Sequence, residues 1–189
     1  VPLAYEATFT SKVVSQERTL SECSPLKILF LGQLVVRKGI METIEAISVL
    51  QDKHIEWTFV GSGPEAVVTR LNEFSNVKVV GQVRHGEVEN YYRSADVFLL
   101  PTHSDGFGLT QLEALRYGVP MIVSSHCGDV VEHGRTGVIL EAITSEEIVD
   151  LVNSLLKEPS QISSMKEAVE ASDNKWTLNA LSENLLRLE

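Results

Sequence analysis

The chain has 189 residues, a formal net charge of −10 and 43% hydrophobic residues. That length fits one medium domain with a sizeable core, and the acidic balance argues against nonspecific nucleic-acid binding and against a strongly basic membrane patch. No apolar run approaches the roughly 20 residues needed to span a bilayer, no stretch has a signal-peptide pattern, and the expected compartment is the cytoplasm.

Residues 1–25 lack a strong period, carry Ser11, Ser15, Ser21 and Ser24, and read as an irregular lead-in. Lys27–Gly39, KILFLGQLVVRKG, predicts a buried strand, a turn at Gly32-Gln33, and then Arg37-Lys38-Gly39 opening a helix with Ile40, Ile44, Ile47 and Leu50 on one face. A cation pair at a strand-to-helix turn suits a diphosphate, since arginine offers a fork for paired oxygens and lysine a compact charge. A solvated loop edge would use the same two residues. Glu56–Pro64, EWTFVGSGP, is a second strand ending in a glycine pair, either a tight turn or a ligand-facing loop. Val77–Val83 is a third strand, and Val88–Ala95 an amphipathic helix.

The most informative stretch follows. Val97–Leu100 is an apolar strand closed by Pro101; Asp105-Gly106-Phe107-Gly108 turns the chain; Leu109, Leu112 and Leu115 then recur at helical spacing until Gly118-Val119-Pro120. Free backbone N–H groups at a helix start, approached through glycines, form an anion site suited to phosphate. Glu113 lies about five residues further in, roughly 7 Å along the axis, which is about the offset between a diphosphate and a neighbouring ribose. A bare acidic pair is also compatible with an ordinary strand–turn–helix.

Ser125–Gly137 reads as a loop, SHCGDVVEHGRTG. Thr144 and Glu147 suggest a capping box for a helix burying Ile148, Leu151, Val152 and Leu155 and stopped by Pro159. Ile162–Ala171 and Trp176–Leu188 predict two further helices, the last with a stripe of Leu178, Leu181, Leu185 and Leu188. Repeated strand–helix alternation implies an α/β fold, a Rossmann-like doubly wound parallel sheet with helices on both faces. Cys23 and Cys127 form no CxxC pair and read as buried or idle thiols. The five histidines do not cluster at ligand spacing; His103 could touch a substrate or simply serve the turn. No metal site is expected.

Asp105 to Ile122, D-G-F-G-L-x-x-L-E-A-L-x-x-G-x-P-x-I, resembles the acidic-pair signature of the group 1 retaining nucleotide-sugar glycosyltransferases of GT-B fold. The family usually has Glu at both ends of that step; here the first is Asp105 and the second is Glu113. The resemblance implies a donor site in which Asp105 positions the transferring sugar, Gly106 and the Phe107–Gly108–Leu109 backbone face the phosphates, and Glu113 takes the ribose hydroxyls. Gly32, Arg37 and Lys38 would belong to the same site, Lys38 stabilising the departing charge; Asp105 and Lys38 are the residues it makes catalytic. Gln82 and Val83 would contact the nucleobase through their main chain. The family pattern G-R-x-x-x-x-K-G is matched at Lys38 and Gly39, but Gln33 stands where the arginine is expected. Ser125-His126 and Asp129 replace a glycine pair and a glutamate.

The resemblance covers nearly the whole chain but only the C-terminal, donor-binding half of such an enzyme. It implies a lead-in over 1–25 from an interdomain hinge beginning Val1-Pro2-Leu3, a nucleotide-sugar-binding domain over 26–171, and a C-terminal helix over 172–189 crossing to a missing N-terminal domain. Its partners would be a nucleotide sugar, with no separate cofactor, and a glycan or glycolipid acceptor held by the missing half, through which peripheral membrane contact would occur. Surface-polysaccharide or glycolipid synthesis is the expected setting, and the donor half alone is expected to be inactive. The alternative is a nucleotide-sugar-binding or interaction module that catalyses nothing, favoured by Gln33, Asp105 and Ser125-His126.

Overall fold

Side chains alternate sides along a strand, so a strand covered on both faces must be apolar throughout. In β1, Leu26–Leu31, Ile28 and Phe30 face one apolar cluster while Leu29 faces the other. In β4, Val97–Leu100, Val97 and Leu99 join the first cluster, Phe98 and Leu100 the second. The computed structural model describes residues 24–172. Most of the lead-in, Cys23 and the helix expected over 176–188 with its leucine stripe lie outside them.

The other strands are β2 (Ile55–Val60), β3 (Val77–Gly81), β5 (Met121–Ser124) and β6 (Gly137–Leu140). All pairings are parallel, in the order β3-β2-β1-β4-β5-β6. This is the doubly wound order, in which strand succession reverses between β1 and β4. Helices α1 (Ile40–Leu50), α2 (Glu65–Asn72), α5 (Ser145–Lys157) and α6 (Ser160–Ala171) contribute to the first cluster, and α3 (Val88–Ser94) and α4 (Leu109–Arg116) to the second. Among the described residues no helix is long and apolar enough to cross a membrane.

Within the described residues the predicted strands and helices are present, with local differences. Arg37-Lys38-Gly39 does not open α1 directly. Val36–Lys38 forms one 3-10 turn, Gly39 takes a left-handed conformation at φ 73°, and α1 begins at Ile40. The capping box is half formed: Thr144 Oγ1 accepts from the Glu147 N–H at 3.3 Å, but the Glu147 carboxylate accepts from Glu141 and Ala142 N–H instead. Those donors directly follow β6, so the helix start is tied to the preceding strand as well as capped by Thr144. The four-residue strands β5 and β6 carry too few residues for a readable period.

Gly39 is the tightest point in the β1–α1 connection. A Cβ there would lie 2.0 Å from the Pro101 carbonyl oxygen, at the end of β4. Gly39→Ala therefore combines a left-handed alanine with a backbone clash, and we expect it to lower unfolding free energy by at least about 2 kcal/mol. Urea denaturation measures this; an unchanged midpoint would show that the two strand exits do not need this close approach.

Candidate functional site

In doubly wound sheets, ligands bind outside the carboxyl ends of the strands where the order reverses. Here that crevice lies between the exits of β1 and β4. The two exits are tied together by backbone. The Arg37 carbonyl accepts from Thr102 Oγ1 at 2.9 Å and from the His103 N–H at 2.8 Å. Thr102 is fully buried, and its own carbonyl accepts from the buried Ser124 hydroxyl at the end of β5.

Across this junction the Lys38 ammonium pairs with Asp105 Oδ2, the two side chains only 12% and 16% exposed. Asp105 Oδ1 accepts from the Gly106 N–H at 2.9 Å, and the Asp105 N–H donates to the His126 carbonyl at 3.0 Å. The loop after β5 thus fixes the backbone of Asp105. Arg37 is exposed at the same mouth; its guanidinium donates to the Ser104 carbonyl at 3.2 Å and to Gln33 Oε1 at 3.3 Å. Gln33 and Arg37 are therefore neighbours, the guanidinium bonded to the amide four residues before it.

Gly32 ends β1, its N–H donating to the Val60 carbonyl at 2.9 Å, and a Cβ on it would meet nothing within 4 Å. Gly61, at the end of β2, approaches the Gly32 carbonyl so closely that a Cβ would sit 1.8 Å from it, while its N–H donates to Gly81 at the end of β3. The exits of β1, β2 and β3 are thereby joined in one edge. Gln82 is exposed beyond that edge, and Val83 packs into the second apolar cluster with Tyr92 and Leu112.

At the start of α4, Gly108 is left-handed at φ 69°, and no side chain caps the helix. Phe107 and Leu109 flank it, partly buried against the second cluster. The buried Gln111 amide donates to the Phe107 and Gly128 carbonyls at 3.0 and 3.1 Å, and the Gly128 N–H also donates to Phe107. Glu113 lies one turn further along. Its Oε2 accepts from the buried Tyr92 hydroxyl at 3.1 Å. Sequence reasoning singled out Asp105 and Glu113 but not Thr102, Gln111, Ser124 or Tyr92. Their only sequence signal is a polar residue at an inward position, visible once the elements are placed.

Cys127 lies close enough to the Lys38–Asp105 pair to feel its charges. Its thiol donates to the Ser124 carbonyl at 3.1 Å. Burial and then the Asp105 carboxylate push its pKa up to about 11, against the opposing pull of Lys38. His103 Nε2 lies 2.7 Å from Glu42 Oε1 on the rim. Among the described residues no three His, Cys, Asp or Glu side chains gather to hold a metal ion.

Residues 25–158 match the family model described as glycosyl transferases group 1. A 2-deoxystreptamine N-acetyl-D-glucosaminyltransferase from Niallia circulans is 30% identical over 169 residues, covering 78% of this chain and 43% of its own. The C-terminal domain of a group 1 family glycosyl transferase, LpcC from Francisella tularensis, superposes with a TM-score of 0.69 at 20% identity, covering 78% of this chain and 84% of that one. Anabaena HepE, solved in complex with UDP and glucose, does so with a TM-score of 0.74 at 16% identity, covering 89% and 49%. The fold is that of the C-terminal domains of GT-B enzymes, and the chain spans less than half the length of the curated relative.

The placement of Cys127 gives a pH test of the geometry. A thiol whose pKa is about 11 stays protonated at neutral pH, so alkylation of Cys127, followed by peptide mass spectrometry, should rise only in strongly alkaline solution. Removing the carboxylate in Asp105→Asn takes away a charge that disfavours thiolate, so the alkylation midpoint should fall; Lys38→Met should raise it. Midpoints that move in neither variant would separate Cys127 from the Lys38–Asp105 pair.

Proposed function

Because the chain belongs to the group 1 glycosyltransferases, we propose that it is the donor-binding part of such an enzyme, holding a nucleoside-diphosphate sugar at the joined exits of β1 and β4. The observation that carries this reading is the Lys38–Asp105 pair across the strand-order reversal, with Arg37 at its mouth. A diphosphate placed before the N-terminus of α4 meets the helix N–H groups, Lys38 and Arg37 together. Its oxygens compete with Asp105 for the lysine. When Lys38 turns to phosphate, the Asp105 carboxylate is released to accept hydrogen bonds from sugar hydroxyls.

Transfer then proceeds with retention. The acceptor hydroxyl oxygen bonds to the anomeric carbon on the face from which the diphosphate leaves, the carbon–oxygen bond to phosphate breaks, and a departing phosphate oxygen takes the acceptor proton. Charge grows on the leaving diphosphate, so preorganised cations and N–H groups at that point lower the barrier electrostatically. Glu113 accepts from the ribose hydroxyls, and the main chain at Gln82 and Val83 faces the base. The acceptor, a glycan or glycolipid, is held by sequence outside this chain, and orientation of the two reactants is worth about 7–11 kcal/mol of barrier. The 189 residues alone therefore bind donor without transferring sugar. A binding module without catalysis is the second reading, and Gln33 in place of the arginine favours it; acceptor-dependent transfer in a chain carrying both halves excludes it.

The phosphate clamp is tested by calorimetric titration of UDP and uridine into the folded chain, with GDP and ADP and their nucleosides alongside. Lys38→Ala should weaken diphosphate binding by about tenfold or more, because it removes a charge-assisted bond and leaves Asp105 facing the phosphates uncompensated. Arg37→Ala should cost less, and neither should change nucleoside affinity by more than about twofold. Equal effects on diphosphate and nucleoside would return both cations to the loop edge.

A further inference from the structure

The Tyr92 hydroxyl is buried between α3 and α4 and has two acceptors on one turn of α4: the Thr110 carbonyl and Glu113 Oε2, each at 3.1 Å. Thr110 and Glu113 are three residues apart and so share a helix face. The phenol ring cannot easily move. It stacks on Tyr117 with centroids 5.6 Å apart and planes at 17°, and tilts against Phe98 at 5.6 Å. A single O–H shared by a helix carbonyl and a carboxylate fixes where that carboxylate stands relative to the helix backbone.

We propose that Tyr92 is a positioning residue for recognition of the ribose, acting through Glu113. The inference rests on the donor-site reading, in which Glu113 accepts from the ribose hydroxyls. A glutamate side chain on a helix surface samples several rotamers, and holding it in one costs side-chain entropy. Tyr92 meets that cost within the folded protein, before ligand arrives. A carboxylate has about four acceptor sites, so the bond from the phenol still leaves it able to engage a vicinal diol. Because the hydroxyl comes from a ring locked in the core, the carboxylate is aimed by the sheet face rather than by its own flexible chain. Tyr92 thereby sets selectivity for ribose over 2′-deoxyribose without touching the nucleotide.

The test uses the 189-residue chain as wild type, Tyr92→Phe, Glu113→Gln and the double variant. Each is titrated calorimetrically with UDP, GDP and ADP and with their 2′-deoxy counterparts. Tyr92→Phe should lower the ribo-to-deoxyribo affinity ratio by about three- to tenfold, leaving deoxynucleotide affinity within about twofold. The double variant should show the same ratio as Glu113→Gln alone, since the two residues act in series. Both ligands enter the same preparation, so partial unfolding alters stoichiometry and not the ratio. A ratio retained in Tyr92→Phe, even with a lowered melting temperature, overturns the positioning role and makes Tyr92 a packing residue. A wild type that does not discriminate ribose from deoxyribose overturns the ribose assignment of Glu113 and this inference with it.

Discussion

The arrangement depends on holding two strand exits together at the one place where a doubly wound sheet leaves them apart. Successive connections from β1 and β4 depart to opposite faces, so a crevice opens between them. This chain bridges it with the buried Thr102 hydroxyl and the His103 N–H on the Arg37 carbonyl, and with Gly39 pressed against Pro101. Only after these neutral bonds set the spacing can Lys38 and Asp105 meet. A partly buried ion pair contributes little net stability, because desolvation offsets much of its Coulomb gain. Its placement at the crevice makes better sense as exchangeable chemistry than as a staple.

The same two strands are joined at their other ends in a different manner. The fully buried Asp96 carboxylate accepts from the Lys27 N–H at 3.0 Å and lies 3.4 Å from the Lys166 ammonium of α6, while its N–H donates to the Lys27 carbonyl. There a charge is enclosed by a strand start and a helix. At the carboxyl ends the charges face a loop-lined opening. The enclosed charge lies at one edge of the sheet and the proposed ligand site at the other, as expected when loops carry function on a rigid scaffold.

Polar side chains extend that scaffold into the loops. Gln111 holds the Phe107 and Gly128 carbonyls and Ser124 holds the Thr102 carbonyl, while a backbone bond from the Asp105 N–H to the His126 carbonyl joins the two loops. The loop after β5 is thus part of what orients Asp105. Cys127 sits in the same loop with its thiol under the influence of Asp105.

Much of this was legible from residue order, and the reason is locality. β1, apolar apart from Lys27, and the wholly apolar β4 are short runs closed by glycine and proline, and α1 shows Ile40, Ile44, Ile47 and Leu50 at helical spacing, all buried in the structure. The acidic step from Asp105 to Glu113 lies within one strand–turn–helix, so its spacing survives as sequence. Strand order, by contrast, is a property of pairings between residues far apart, and the four-residue β5 and β6 leave no period to read. The contact of Lys38 with Asp105 spans 67 residues and that of Tyr92 with Glu113 spans 21. No local rule announces such pairs. The sequence by itself determined which residue types stand at each strand exit; only the closing of the parallel sheet decided which of them face one another, because side-chain chemistry across a crevice is set by strand register rather than by distance along the chain.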